Sequence, residues 1–358
     1  VNPLEVIGLM SGTSLDGVDA AWIDTDGHTV QAFGPTLTRP YGEALRADLR
    51  RILATAQTLG PLDPLLLHVE ASLTDAHAEA VAALGRGAEL IGFHGQTILH
   101  DPARGRTWQI GDAPALARAT GLPVVFDFRS ADVAAGGQGA PFAPAFHRAL
   151  VAARPKPVAV LNIGGVANVS FVGASLAACD TGPGCALLDD YVQARTGQPM
   201  DSGGALAASG TPDEPILNAL MADPYFPLPA PKSLDRLHFA RALALVEPLS
   251  TEDGAATLAA FTVRAVAACP LIQWTRQVLV TGGGRHNASI MAALARALPM
   301  PVAPVESVGW NGDALEAQCF AYLAVRVVRG LPLSFPGTTG VPAPQTGGRI
   351  VRSGPVLF

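Results

Sequence analysis

Apolar and polar positions along the chain fall into blocks whose lengths predict alternating strands and helices. A short apolar run at residues 6–10 gives way to a loop of glycines and hydroxyls, apolar positions resume over 18–24, and a turn at Asp26-Gly27 leads to a third run over 29–33. Apolar runs of that length bounded by turn residues read as strands. Two helical stretches are predicted next, over 42–57 and 64–84. The runs "ELIGFHGQTILH" and "LPVVFDF" follow, separated by "TWQIGD" and by a short helix near 113–119. The result is an α/β unit opened by a hairpin meander.

The second part begins in the same way, since "VAVLNIGGVANVSFV" is again strand, glycine loop, strand. A helix is predicted around 186–196, then a mostly helical middle with prolines at its edges, and then "QVLVTGGGRHNASIMAALARAL", which reads as strand, three glycines and helix. The last long helix, near 313–329, has "WNGD" as its start signal and Gly330 with Pro332 as its stop. The glycine- and proline-rich tail after it is expected to return to the first domain. Two related α/β domains are therefore expected, 1–133 with the tail at about 336–358, and 134–335, each presenting a loop to a shared cleft.

Composition narrows the partners. A hydrophobic fraction of 49% with 15% charged residues describes a packed globule, even with 38 Gly and 30 Pro. A net charge of −6 and the absence of a basic run argue against nucleic acid and anionic membranes, which leaves small-molecule chemistry. Residues 158–179 carry no charge, but Asn162, Gly164, Gly165, Asn168, Ser170 and Gly173 suit strand, turn and strand better than a lipid-facing helix. No positive segment precedes the short apolar run of "VNPLEVIGLM", so a cytoplasmic location is expected. Cys179, Cys185, Cys269 and Cys319 show no CxxC spacing and indicate neither zinc nor a disulfide framework.

Lys156 and Lys232 are the only lysines, and no GxxxxGK[ST] loop is present. A phosphate grip in this chain would have to use backbone amides, hydroxyls, Mg²⁺ and arginine. Ser11-Gly12-Thr13-Ser14 meets that need as an anion-binding nest, and equally reads as a glycine-rich hairpin turn. The loops "NIGGVAN" (162–168) and "TGGGRHN" (281–287) add two more sites of the same kind. Gly282, Gly283 and Gly284 could let a flat ring lie on bare backbone, or simply form a helix entry turn.

Asp180 in "CDTGPGCALLDD" precedes a turn that opens a helix, where amides and the helix dipole favour an ionised carboxylate, either as a general base or as a capping residue. Asp189 and Asp190 read as surface or hinge residues. His94, Gln96, His100, Arg129 and Asp132 fall at strand ends, where α/β folds bind ligands. Arg129 could fork onto an anion or pair with Asp132 in the core. Glu316, three residues after Asp313, completes a capping box or reaches a ligand from the first helical turn.

Taken together, "GLMSGTSLDGVD", "GFHGQT", "FDFRSADVAAGGQGAP", "NIGGVANV", "DTGPG", "TGGGRHN" and "GDALEAQCFAYLA" resemble the anhydro-N-acetylmuramic acid kinases, in order and over nearly the whole chain. The resemblance implies two RNase H-like domains of the actin/hexokinase type flanking an active-site cleft. It also implies ATP and Mg²⁺ as cofactors, an amino-sugar substrate, a homodimer, and hydrolytic opening of the 1,6-anhydro ring with phosphorylation of O6 in cell-wall recycling. Asp180 matches the family's catalytic base. Ser11, Gly12, Thr13, Ser14, Leu15, Asp16, Gly17, Val18 and Asp19 match its first phosphate loop, while Asn162, Gly164, Gly165, Gly282, Gly283, Gly284 and Asn287 match the rest of the nucleotide site. His94, Gln96, Arg129, Asp132 and Glu316 are expected around the sugar, and no metal ligands are assigned.

Two departures stand out: Cys185 where the family often has Asn, and "PKSLDRLHF" (231–239) where it commonly has a "PKSTGRE"-like segment. Another sugar kinase of the same superfamily, a nucleotide-driven switch and a non-catalytic homologue are the competing readings.

Overall fold

The computed structural model describes residues 2–12 and 14–352. In chain order its strands are β1 (Leu4–Ser11), β2 (Gly17–Thr25), β3 (Val30–Pro40), β4 (Leu90–Asp101), β5 (Arg106–Ile110), β6 (Val124–Phe126), β7 (Val158–Ile163), β8 (Val166–Val172), β9 (Leu176–Pro183), β10 (Gln277–Thr281), β11 (Val302–Pro304) and β12 (Arg349–Val351). They form two sheets in two compact units, Val1–Ala152 with Ala314–Phe358, and Ala153–Asp313.

The first unit carries the strand order β12-β6-β4-β1-β2-β3, with β5 paired to β4. The β1–β2–β3 meander is antiparallel, whereas β1 pairs with β4 in parallel. That parallel step needs a crossover, which the Glu43–Thr55 and Pro64–Leu84 helices supply. The second of these begins where the Asp63 side chain accepts hydrogen bonds from the Leu65 and Leu66 amides, and it ends at Gly85 in the left-handed region (φ 65°). β3 is much longer than the expected 29–33, because residues 34–40 go on pairing with β2.

The Leu315–Val328 helix lies on this sheet. Gly8 of β1 and Gly92 of β4 make the approach possible: a Cβ at either would overlap the carbonyl oxygen of Ala317 or Phe320. The helix also packs Tyr322 against Phe146, with ring centroids 5.5 Å apart, which draws the Ala143–Leu150 helix into the same unit. The unit boundaries consequently fall at 152/153 and 313/314, where 133/134 and 335/336 were expected. The tail does return to the first unit, as β12 antiparallel to β6.

The second unit has the order β11-β10-β7-β8-β9, with β7–β8–β9 antiparallel and β7–β10–β11 parallel. Its core centres on the Thr251–Ala268 helix, whose Phe261 is fully buried with Leu161, Val278 and Ile290. Among the described residues no helix is long and apolar enough to cross a membrane, and residues 158–179 lie mainly in strands.

Candidate functional site

In the first unit the β1–β2 hairpin is fixed from below. Ser11 is buried and its hydroxyl donates to the Gly95 carbonyl at 3.0 Å. Leu15 adopts a left-handed conformation (φ 60°) with its side chain buried, and its carbonyl accepts from Arg46 Nε at 3.1 Å. A leucine held at positive φ records strain that the surrounding packing imposes. Gly12 is half-buried, and Ser14 and Asp16 are exposed. Asp19 faces Thr38, whose hydroxyl donates to it at 2.5 Å. Gly17 and Val18 are buried strand positions; Thr13 lies outside the described residues.

At the end of β4, His94 is buried with both ring nitrogens engaged. Nδ1–H donates to the Gly95 carbonyl at 2.8 Å, and Nε2 accepts from Arg129 Nε at 3.0 Å. Burial first, and then the Arg129 charge, hold its pKa well below the usual histidine value, so the ring is neutral. Arg129 also donates Nη1 to the Gly139 carbonyl at 2.6 Å, and burial lowers its pKa to about 10.

Asp132 is buried and forms no ion pair with Arg129. It accepts from the Gly139 amide at 2.6 Å, from the Thr339 hydroxyl at 2.7 Å and from the Ser334 hydroxyl. These bonds give Asp132 a loop-holding role. Gln96 is buried with its Oε1 unpartnered among the described residues, while His100 meets Thr107 at 3.1 Å.

Glu316 caps nothing. The Leu315–Val328 helix starts at Ala314 without a side-chain cap, and Asp313 instead receives Arg285 Nη2 at 2.7 Å. The expected capping box is thus replaced by an ion pair. Glu316 is water-accessible yet closely surrounded by protein. Desolvation, then the Asp19 carboxylate, raises its pKa, and Arg129 opposes the rise.

In the second unit Asp180 stands in β9 opposite Asn168 of β8, not at the start of a helix. Its amide donates to the Lys232 carbonyl at 2.9 Å, its carbonyl accepts from the Tyr225 hydroxyl at 2.8 Å, and its Oδ2 accepts from the Leu234 amide at 2.7 Å. Burial raises the carboxyl to about 6, against the lowering influence of the Leu234 amide and the Lys232 charge. The sequence favoured an ionised aspartate at a helix dipole. Desolvation lifts the pKa above that expectation while the group still ionises near neutral pH, and the Ala186–Thr196 helix begins beyond the turn with its first amides spent elsewhere.

Those amides go to the glycine loop between β7 and β8. Cys185 N–H donates to the Gly164 carbonyl at 2.7 Å, and the Gly184 and Ala186 amides donate to the Gly165 carbonyl at 3.0 and 3.3 Å. Asn162 lies in register with both Thr281 and Asn168. Gly282 and Gly284 pack tightly on Asn162 and Ile163, whereas the exposed Gly283 would present a Cβ to open space. Asn287 turns its oxygen to the Ile290 amide at 3.0 Å and caps the Ala288–Ala297 helix, so that atom serves the fold.

Sequence reasoning missed Tyr225, noted Lys232 only as one of two lysines and within a departure, and noted Leu234 only within that departure. Their proximity to Asp180 comes from a long loop, which no local spacing reveals. Asp190 pairs with Arg236 at 3.1 Å, and burial, then Asp190, raises Asp189 to about 6. Among the described residues no three His, Cys, Asp or Glu side chains form a group that could hold a metal ion.

The anhydro-N-acetylmuramic acid kinase family model matches residues 4–353. Anhydro-N-acetylmuramic acid kinase from Acidiphilium cryptum (strain JF-5) is 62% identical over 355 residues, covering 98% of this chain and 99% of that protein. The enzyme of the same name from Gluconobacter oxydans (strain 621H) is 54% identical, covering 96% and 99%. Among solved structures, an activator of 2-hydroxyisocaproyl-CoA dehydratase from Clostridium difficile with bound ADPNP aligns with a TM-score of 0.45 at 14% identity, covering 91% and 96%.

Proposed function

Because the chain belongs to the anhydro-N-acetylmuramic acid kinase family, we propose that it couples hydrolytic opening of 1,6-anhydro-N-acetylmuramic acid to phosphorylation of O6, with Asp180 as the general base. In this reaction water attacks C1 and Asp180 takes its proton. The C1–O6 bond breaks, O6 bonds to the γ-phosphorus, and the bond from that phosphorus to the bridging oxygen of ADP breaks. The products are N-acetylmuramic acid 6-phosphate and ADP. Such a step serves recycling of the cell wall in the cytoplasm, and the family resemblance adds a homodimer.

The observation that carries this reading is the family match over nearly the whole chain, and the setting of Asp180 supports its part in it. A base must be ionised near neutral pH yet basic enough to draw a proton, and a carboxyl raised to about 6 meets both needs. The Leu234 amide occupies Oδ2, and among the described residues nothing donates to Oδ1. Oδ1 is therefore the atom assigned to the water.

ATP would be held through the amides and hydroxyls of the β1–β2 hairpin, including Gly12 and Ser14, and through the β7–β8 loop at Gly164 and Gly165, with adenine against Gly283. Mg²⁺ binds nucleotide phosphates through one or two carboxylates and retained waters. Asp16 and Asp19, the carboxylates nearest the turn of the first hairpin, would hold it, and the ion would supply charge neutralisation on the phosphates. Arg129, His94 and Glu316 are assigned to the sugar. His94, being neutral, can accept from Arg129 Nε and so hold the guanidinium in place.

The test is mass spectrometry of products formed with Mg-ATP and the anhydro sugar in ¹⁸O water. A 6-phosphorylated, ring-opened sugar labelled at C1, absent with Asp180→Asn, is expected. ATP turnover without that product would overturn the assignment of the substrate, and label incorporation by the variant would overturn that of the base.

A further inference from the structure

The segment from Tyr225 to Leu234 touches Asp180 at its amide, its carbonyl and its carboxylate. Lys232 supplies the carbonyl that accepts from the Asp180 amide at 2.9 Å, and two residues on, Leu234 N–H holds Oδ2 at 2.7 Å. Tyr225 closes the other side by donating its hydroxyl to the Asp180 carbonyl at 2.8 Å. The Lys232 ammonium then ties the segment to itself: it donates to the carbonyls of Tyr225 and Phe226 at 3.0 and 2.9 Å and sits over the Tyr225 ring, 4.3 Å from its centre.

We propose that Lys232 and Tyr225 are positioning residues for the general base, clamping the Asp180 backbone and one carboxylate oxygen so that Oδ1 alone is presented to the reacting water. This rests on the reading of Asp180 as base. Two features separate it from a purely structural role. Lys232 is one of two lysines in the chain, and among the described residues it makes no ion pair, so its charge is left to act on the nearby aspartate. Among the described residues its hydrogen bonds go to carbonyls of the segment that carries Tyr225, so the cation and the hydroxyl work as one unit.

The titratable groups acting with Asp180 are few. Lys232 and Tyr225 come from the clamp, Cys179 is the preceding residue of β9, and Cys269 follows the Thr251–Ala268 helix with its Sγ 3.7 Å from that of Cys179. β8 offers the uncharged Asn168 opposite, and Arg264 of the long helix is turned to Glu214 at 2.6 Å. Lys232 is thus the nearby cation available to favour the ionised base.

The experiment compares pH–rate profiles of the full chain with those of Lys232→Met, Lys232→Arg and Tyr225→Phe, alongside Asp180→Asn. Lys232→Met is expected to move the acidic limb to higher pH and to cut kcat by about tenfold at unchanged KM for ATP, and Lys232→Arg to restore the limb. Tyr225→Phe, which removes one hydroxyl, is expected to lower kcat at unchanged KM and decides the matter if Lys232→Met does not fold. An inactive Asp180→Asn beside Lys232→Met or Tyr225→Phe of unaltered profile and kcat would overturn the clamp alone. An active Asp180→Asn would overturn the base and the clamp together.

Discussion

Arg129 and Asp132 grip the two backbone groups of one residue instead of each other. Arg129 Nη1 donates to the Gly139 carbonyl and the Gly139 amide donates to Asp132, each at 2.6 Å. The arginine's position is thereby set by a loop that a buried carboxylate pins, with Ser334 and Thr339 as its other donors. Asp132→Ala would leave those donors without their acceptor, at about 1–3 kcal/mol for each group that water cannot reach. Urea unfolding should show a loss of ~3 kcal/mol or more; a loss below ~1 kcal/mol would contradict the pinned-loop account.

His94 is expected to stay neutral well below the usual histidine range. Its folded-state pKa is depressed, so the native state binds fewer protons than the unfolded chain, and stability falls as pH drops through about 6.5 and below. Imidazole ¹⁵N shifts should report a fixed Nδ1–H tautomer from neutral pH down to the onset of acid unfolding. A titration of His94 near its ordinary value would contradict both the burial of the ring and the facing Arg129 charge.

Asp180 has the opposite sign. Its pKa rises from 3.8 to about 6 on folding, so the native state holds the proton more tightly, and the ionised carboxylate weakens the fold fully above pH 6 and not at all below 3.8. Asp180→Asn should accordingly raise Tm at alkaline pH, with the gain shrinking as pH falls through that window. Calorimetry at several pH values checks this, and a Tm gain independent of pH would refute the burial account.

Gly184 and Gly283 separate fold from ligand. A Cβ on Gly184 would overlap the Gly164 carbonyl oxygen, while one on Gly283 meets open space. Gly184→Ala should lower Tm and weaken nucleotide binding together. Gly283→Ala should leave Tm within error and weaken binding of an ATP analogue about tenfold, as crowding of a flat ring would. Equal Tm losses for both variants would remove the distinction.

Local pattern revealed the hairpins, the Pro64–Leu84 helix and the three glycine loops, because turn chemistry and apolar periodicity act over a few residues. It did not reveal which unit owns Leu315–Val328, since that depends on Gly8 and Gly92 leaving room for a helix encoded more than two hundred residues later. The same limit applies at the site. Asp180 reads locally as an ionised residue before a helix, but its proton affinity is set by burial and by a segment far along the chain. Asp313 and Glu316 have the spacing of a capping box, yet the Arg285 ion pair claims the aspartate. Spacing cannot register a partner that competes from elsewhere.

The Leu315–Val328 helix also sets an order of assembly. A ribosome releases β1 to β4 early, but the helix that covers them emerges only after all of Ala153–Asp313 has been made. The inserted unit can therefore mature while the first still exposes an apolar sheet face, and that face is shielded only once residues 315–328 have been made. A message truncated before residue 314 would yield a soluble-looking insert tethered to a sticky, unfinished partner, a natural client for chaperones and proteases.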